Sequence, residues 1–206
     1  MLELREPEGA FERIEAWLRG RGFFAPGGER LEADLYLGYG LSEPLRRTAA
    51  SPPPEPCPLP LAAVSVRDVS RGQSPGHVRV GRWERTWTDA EYAEAVETVR
   101  SAIGRGDVYQ VNLVQHLSAP FEGDPGGLEP LLAGFRPRSL AGDGWTVVSA
   151  SPELFLSRRG RTVRTCPIKG TRPLGEHVEG EKDEAEHVMI VDLERNDLSR
   201  VCEPGS

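Results

Sequence analysis

The sequence predicts an α+β protein, and three observations carry that assignment. Strand-like runs at residues 61–69 and 77–87 flank a polar turn. A helix start follows at once in Thr88-Asp89-Ala90-Glu91, which fits a capping box. Farther on, two strand-like runs meet around Arg158-Arg159-Gly160-Arg161, and a long helical pattern covers 181–200.

The bulk numbers narrow the class. The 206 residues suffice for one large domain or two small ones. Hydrophobic residues make up 38%, and the mean hydropathy of −0.43 fits a soluble globular protein. The formal charge of −7 is spread along the chain, which argues against a nucleic-acid protein with a concentrated basic face. Lys169 and Lys182 are the only lysines, so a lysine inside a motif stands out. Cys57, Cys166 and Cys202 show no CxxC spacing, which argues against a zinc or redox site. Their odd number and the lack of a signal sequence favour a reducing cytoplasm. No run approaches the length of a membrane span.

The first helix is expected at 10–19, where Phe11, Ile14 and Leu18 share a face and Gly20 stops it. A short strand follows at 35–39, then a proline-rich linker at 49–60. After the capping box, Tyr92, Val96, Val99 and Ile103 line one helix face, and Gly104 is expected to end it. A long strand is expected at 107–117. Its alternation puts Gln110 and Asn112 on one face with Val108, Val114 and His116. Pattern alone favours an exposed polar face there; buried amides would need partners. A weaker helix is expected at 128–135 and a strand at 145–151. No repeats occur.

Two constellations could carry chemistry. Glu153 opens one hairpin strand, and Lys169 leaves the other in Pro167-Ile168-Lys169-Gly170-Thr171. A three-residue Arg158-Arg159-Gly160 loop puts both on one face. A two-residue Arg159-Gly160 turn puts them on opposite faces unless a bulge intervenes. A shared face suits an acid and an amine nucleophile flanking one substrate; spacing by itself favours a solvated surface lysine. In the last helix, Asp183 and Glu186 lie three apart and share a face. They could hold a magnesium ion or simply complement the helix dipole, and spacing favours the dipole. No GxGxxG, GxxxxGK or GxSxG motif occurs, and the four histidines lack ligand spacing.

Three stretches together resemble the chorismate-utilising enzymes: anthranilate synthase large subunits, aminodeoxychorismate synthase component I, and isochorismate and salicylate synthases. They are Gly106-Asp107-Val108-Tyr109-Gln110-Val111-Asn112-Leu113, then Ser151-Pro152-Glu153-Leu154-Phe155-Leu156, then residues 167–173 followed by 181–206. The resemblance covers about residues 88–206 and lies nearest aminodeoxychorismate synthase, in which a lysine stands at the position of Lys169 and anthranilate synthases usually have alanine. It implies that Lys169 attacks C2 of chorismate, that Glu153 protonates the departing C4 hydroxyl, and that ammonia then enters at C4. Gln110 replaces the base lysine of the water-using members, so ammonia is the implied nucleophile. Asn112 matches a polar residue near the attack site, and Gly170 and Thr171 match substrate contacts. Glu186 matches a Mg2+ ligand with Asp183 beside it.

The resemblance further implies a fold of two large antiparallel sheets wrapped by helices, of which this chain is expected to hold the N-terminal half. Residues 1–75 are expected to form an N-terminal region, and 76–206 the first half of the catalytic domain. The chain alone is then expected to be inactive, with strand edges unpaired. Ammonia is expected from a glutamine amidotransferase subunit or domain. The competing readings are anthranilate synthase component I and a non-catalytic remnant or amidotransferase-docking module.

Overall fold

Two alanines and a valine at 62–64 give one strand two apolar faces, and the first of two compact units is built around it. The computed structural model describes residues 1–45, 57–68, 76–135, 137–170 and 180–205. These divide into Met1–Ser149 and Ala150–Ser206. The linker expected at 49–60 lies mostly outside the described residues. The domain boundary expected at 75–76 falls inside the first unit.

In the first unit, β3 (Ala62–Asp68) is the centre of an antiparallel three-stranded sheet. It pairs with β1 (Leu2–Leu4) and with β2 (Leu31–Leu37). Helix α1 (Ala10–Gly20) places Ala10, Ile14 and Leu18 on one stripe, and these bury against Leu4, Ala62 and Val64. Full burial of side chains such as Leu4, Ile14 and Leu18 contributes about 1.5–3 kcal/mol each. Ala63, facing the other way, meets Leu140 and Trp145. Those come from β8 (Arg138–Gly142) and β9 (Trp145–Ser149), joined through Asp143-Gly144 with Gly144 at φ 75°. The Trp145 indole lies over Gly142, where a Cβ would collide with it and with the Glu3 carboxylate. Arg67 bonds Asp34 at 2.8 Å and Glu32 at 2.5 Å, and Arg138 reaches Glu32 at 3.3 Å, tying β2, β3 and β8 together.

The strand expected at 77–87 is two pieces. β4 (Val78–Val80) pairs with β7 (Phe121–Gly123), and β5 (Glu84–Arg85) with β6 (Leu117–Ser118). Between them Gly81 donates its N–H to the Pro120 carbonyl at 2.8 Å. Proline cannot return that bond, so the ladder breaks. The long strand expected at 107–117 is not formed: among the described residues only Leu117 of it lies in a ladder, and beside it the His116 carbonyl accepts from the Thr86 N–H at 3.0 Å. Strand conformation needs a partner for its N–H and C=O groups, and no described strand lies beside 108–116.

Helix α2 (Asp89–Arg105) has the expected cap. The Glu91 N–H donates to Thr88 Oγ1 at 3.3 Å, and the Thr88 N–H donates to Glu91 Oε2 at 2.8 Å. It runs past Gly104 and ends on Gly106, whose φ of 78° suits a left-handed cap. None of its residues is buried; Tyr92 touches the Trp87 ring, and Val96 and Ile103 are exposed. The helix expected at 128–135 is one turn, α3 (Leu128–Leu131), followed by a 3-10 turn. The second unit holds β10 (Leu154–Arg159), β11 (Thr162–Cys166) and α4 (Glu181–Leu198). The described chain is thus mixed α and β, with one three-stranded sheet and four two-stranded ones in place of the expected large sheets.

Two outcomes follow from these contacts. Gly142→Ala drives a methyl into the Trp145 indole and lowers stability by about 1–3 kcal/mol, read from urea unfolding. The Thr88 backbone N–H and then its hydroxyl hold the Glu91 carboxyl below its ordinary 4.5. The cap is therefore complete above about pH 4.5 and is lost as pH falls through the depressed value. In an acid titration followed by circular dichroism, Glu91→Gln lacks that step.

Candidate active site

Glu153 is placed by its own neighbours. Its N–H donates to Ser151 Oγ at 3.3 Å, a local turn that delivers it to the start of β10. The hairpin then closes through Gly160-Arg161, because Arg159 lies opposite Thr162. That turn is one residue later than either expected loop. Gly160 takes φ 58°, and the Arg158 Nε donates to its carbonyl at 2.9 Å.

Taken alone, this register puts Glu153 opposite Ile168 and Lys169 on the other face. A bulge reverses the outcome. Ser157 lies opposite Arg164 but Leu154 lies opposite Cys166, so Phe155 and Leu156 together oppose Thr165. The extra residue shifts the pairing by one place, so the register, continued past its last pair Leu154–Cys166, sets Glu153 on the face of Lys169. The Glu153 Oε1 accepts a hydrogen bond from the Ile168 N–H at 3.0 Å, directly before Lys169. Lys169 is half-buried and is followed by Gly170 at φ 73°. Thr171 lies outside the described residues.

On α4, Asp183 and Glu186 are half-buried and one turn apart on a single face. Among the described residues no group of three or more histidine, cysteine, aspartate or glutamate side chains gathers to hold a metal. Two carboxylates nevertheless fit Mg2+, which keeps several waters and takes one or two protein carboxylates plus substrate oxygens. Among the described residues, contacts join the hairpin to α4 and to the turn that follows it. The Thr165 hydroxyl donates to Glu194 Oε2 at 3.1 Å, and Arg161 pairs with Glu203. Thr165 and Glu194 escaped the sequence reading; a threonine opposite a bulge is visible only once the register is known.

Gln110 and Asn112 lie in the first unit on the segment that forms no ladder, and both are exposed. A shallow depression of about 680 Å³ in that unit is lined by Arg82–Asp89 and Glu91 and includes none of the expected site residues. No helix of the described residues is long and apolar enough to cross a membrane.

A carboxyl group beside the backbone of a lysine, with a two-carboxylate helix face in the same unit, combines a proton donor, an amine nucleophile and oxygen ligands for a cation. Residues 48–206 match the family model described as chorismate binding enzyme, and the chain belongs to that family. It is 39% identical over 161 residues to anthranilate synthase component 1 of Streptomyces coelicolor, covering 70% of this chain and 31% of that protein. It is 36% identical over 141 residues to aminodeoxychorismate synthase component 1 of Bacillus subtilis, covering 61% and 30%. With the enzyme of that name from Klebsiella aerogenes the identity is 38% over 145 residues, covering 60% and 31%. The chain therefore spans about a third of the length of these curated relatives.

The turn that sets the hairpin register is open to a direct check. Gly160→Ala forces a Cβ into the left-handed region and lowers the stability of the hairpin by about 1–2 kcal/mol. Amide hydrogen exchange in β10 and β11 reads the change.

Proposed function

We propose that residues 88–205 form part of a site that aminates chorismate in the manner of aminodeoxychorismate synthase component 1. One observation carries the reading: Glu153 Oε1 bonds the Ile168 N–H, which sets a carboxyl group beside the lysine that follows. In this reading the neutral Lys169 amine attacks C2, and the conjugated ring double bonds shift. The C4 hydroxyl leaves as water, taking its proton from Glu153. Ammonia then adds at C4, the double bonds shift back, and Lys169 is released from C2. Splitting the displacement in two gives each step a positioned leaving group.

The remaining roles follow the same frame. Gln110 cannot act as a base, which leaves ammonia rather than water as the incoming group. By the family resemblance, Asn112 is assigned to the attack step and Gly170 and Thr171 to substrate binding. Glu186, with Asp183 directly or through water, holds Mg2+, which when bound neutralises and orients the ring carboxylate. Ammonia comes from a glutamine amidotransferase subunit or domain. The three cysteines are free thiols, in keeping with a cytoplasmic enzyme of para-aminobenzoate and folate synthesis.

Anthranilate synthase is the second reading, since the Streptomyces coelicolor protein of that name matches this chain at an identity similar to that of the aminodeoxychorismate synthases. Lys169 separates the two: anthranilate, 2-aminobenzoate, needs ammonia itself to bond C2, and a lysine attached at C2 would block that carbon and direct ammonia to C4.

The test supplies chorismate, Mg2+ and ammonium to the 206-residue chain. A second sample is a chimera carrying residues 88–205 in place of the matching segment of the Bacillus subtilis protein. Products are separated by chromatography, and circular dichroism confirms folding. The chimera is expected to form aminodeoxychorismate. Lys169→Ala lowers its output roughly a hundredfold or more, and Glu153→Gln by about 10²–10⁴. Anthranilate as the product, or full aminodeoxychorismate output after Lys169→Ala, overturns the reading.

A further inference from the structure

One polar contact joins the strand that leads to Lys169 and the helix that carries Asp183 and Glu186. Thr165 is the single residue opposite the two-residue bulge of β10. Its hydroxyl donates to Glu194 Oε2 at 3.1 Å, and the same oxygen lies 3.4 Å from the Leu154 carbonyl oxygen. Leu154 directly follows Glu153. The contact is part-buried, so water competes with it weakly. The other tie, Arg161 to Glu203, joins side chains 88% and 76% exposed and adds little.

The two ties fix direction as well as proximity. Arg161, just before β11, meets Glu203, five residues past the end of α4, and four residues later Thr165 meets Glu194, so β11 and the helical segment run in opposite senses. An extended chain rises about 3.3 Å per residue and a helix about 1.5 Å. From Thr165 to Lys169 is four residues, three of them beyond the end of β11 at Cys166, and at the strand rise they span at most about 13 Å. From Glu194 back to Glu186 is eight residues, about 12 Å of helix. Both paths lead away from the same contact in the same direction and are nearly equal in length. A slip of α4 by one turn would offset them by about 5.4 Å.

We propose that the Thr165–Glu194 hydrogen bond is a positioning contact that holds Lys169 level with Glu186. Neither residue touches substrate. Thr165 acts through the strand and Glu194 through the helix, and together they set the spacing between the amine and the cation-binding carboxylates. The inference rests on the reading of Lys169 and Glu186 as parts of one site, yet its geometry can be measured without any turnover.

The measurement is zero-length carbodiimide cross-linking of the 206-residue chain, followed by proteolysis and mass spectrometry. Lys169 and Lys182 are the only lysines, so a lysine–carboxylate link is assigned without ambiguity. A Lys169–Glu186 link is expected. Its yield falls about fivefold or more in Thr165→Val and in Glu194→Ala, the loss expected from one hydrogen bond. Glu194→Gln and Thr165→Ser keep an acceptor and a hydroxyl, and both restore it. Circular dichroism confirms that each variant is folded; should Thr165→Val unfold, Glu194→Ala against Glu194→Gln decides. Absence of the link in the unmodified folded chain overturns the proposal. So does an equal yield in Glu194→Ala, or a yield in Glu194→Gln as low as in Glu194→Ala. Failure of the amination chemistry in the separate assay leaves these yields readable, so the two ideas fall independently.

Discussion

The arrangement of the second unit depends on a parity constraint in its hairpin. Side chains alternate across a strand, so one residue more or less decides which groups share a face. The Gly160-Arg161 turn alone would set Glu153 and Lys169 apart. The bulge at Phe155 and Leu156 cancels that offset, and the Glu153–Ile168 hydrogen bond then anchors the carboxyl group on the lysine's strand. Bulges re-aim side chains at modest cost. Here the cost is visible as two exposed apolar residues, Phe155 at 81% and Leu156 at 51%. Thr165, the residue facing them, is also the one that contacts α4.

The first unit is organised differently. Its stability comes from β3, buried on one face by α1 and on the other by the β8–β9 hairpin. Small residues at 62 and 63 let both layers approach closely. By contrast, α2 and the segment that follows it bury little. A sound capping box and a left-handed glycine cap define the ends of α2, but they secure a helix only locally. Val96, Ile103, Val111 and Val114 remain exposed. Apolar stripes at regular helical or strand spacing ordinarily face another layer, and among the described residues no layer covers these.

Membership of the chorismate-binding family does not choose among the reactions for which its members are named. Relatives named for anthranilate and for aminodeoxychorismate synthesis match this chain at similar identity. Overall similarity therefore has no bearing on the choice between them. The proposed chemistry turns on Lys169 instead: a lysine bonded at C2 would leave C4 for ammonia, whereas anthranilate needs ammonia itself at C2. That separation of fold from outcome is general: a shared scaffold carries different reactions through local changes at the site.

The sequence by itself determined the helices with strong local signals. Thr88 and Glu91 cap α2 through bonds only three residues apart, and the apolar stripe of α1 is readable because helical periodicity is local. It also determined that residues 153 and 169 are a carboxylate and a rare lysine flanking a hairpin. Tertiary structure decided the rest, for one physical reason: strand pairing is a property of two segments at once. The failure of 108–116 to form a ladder, the break at Gly81 and Pro120, the turn at Gly160-Arg161 and the bulge all depend on what lies opposite. The Glu153 carboxyl came to lie against the Ile168 N–H through that partner-dependent register, which no single run of residues encodes.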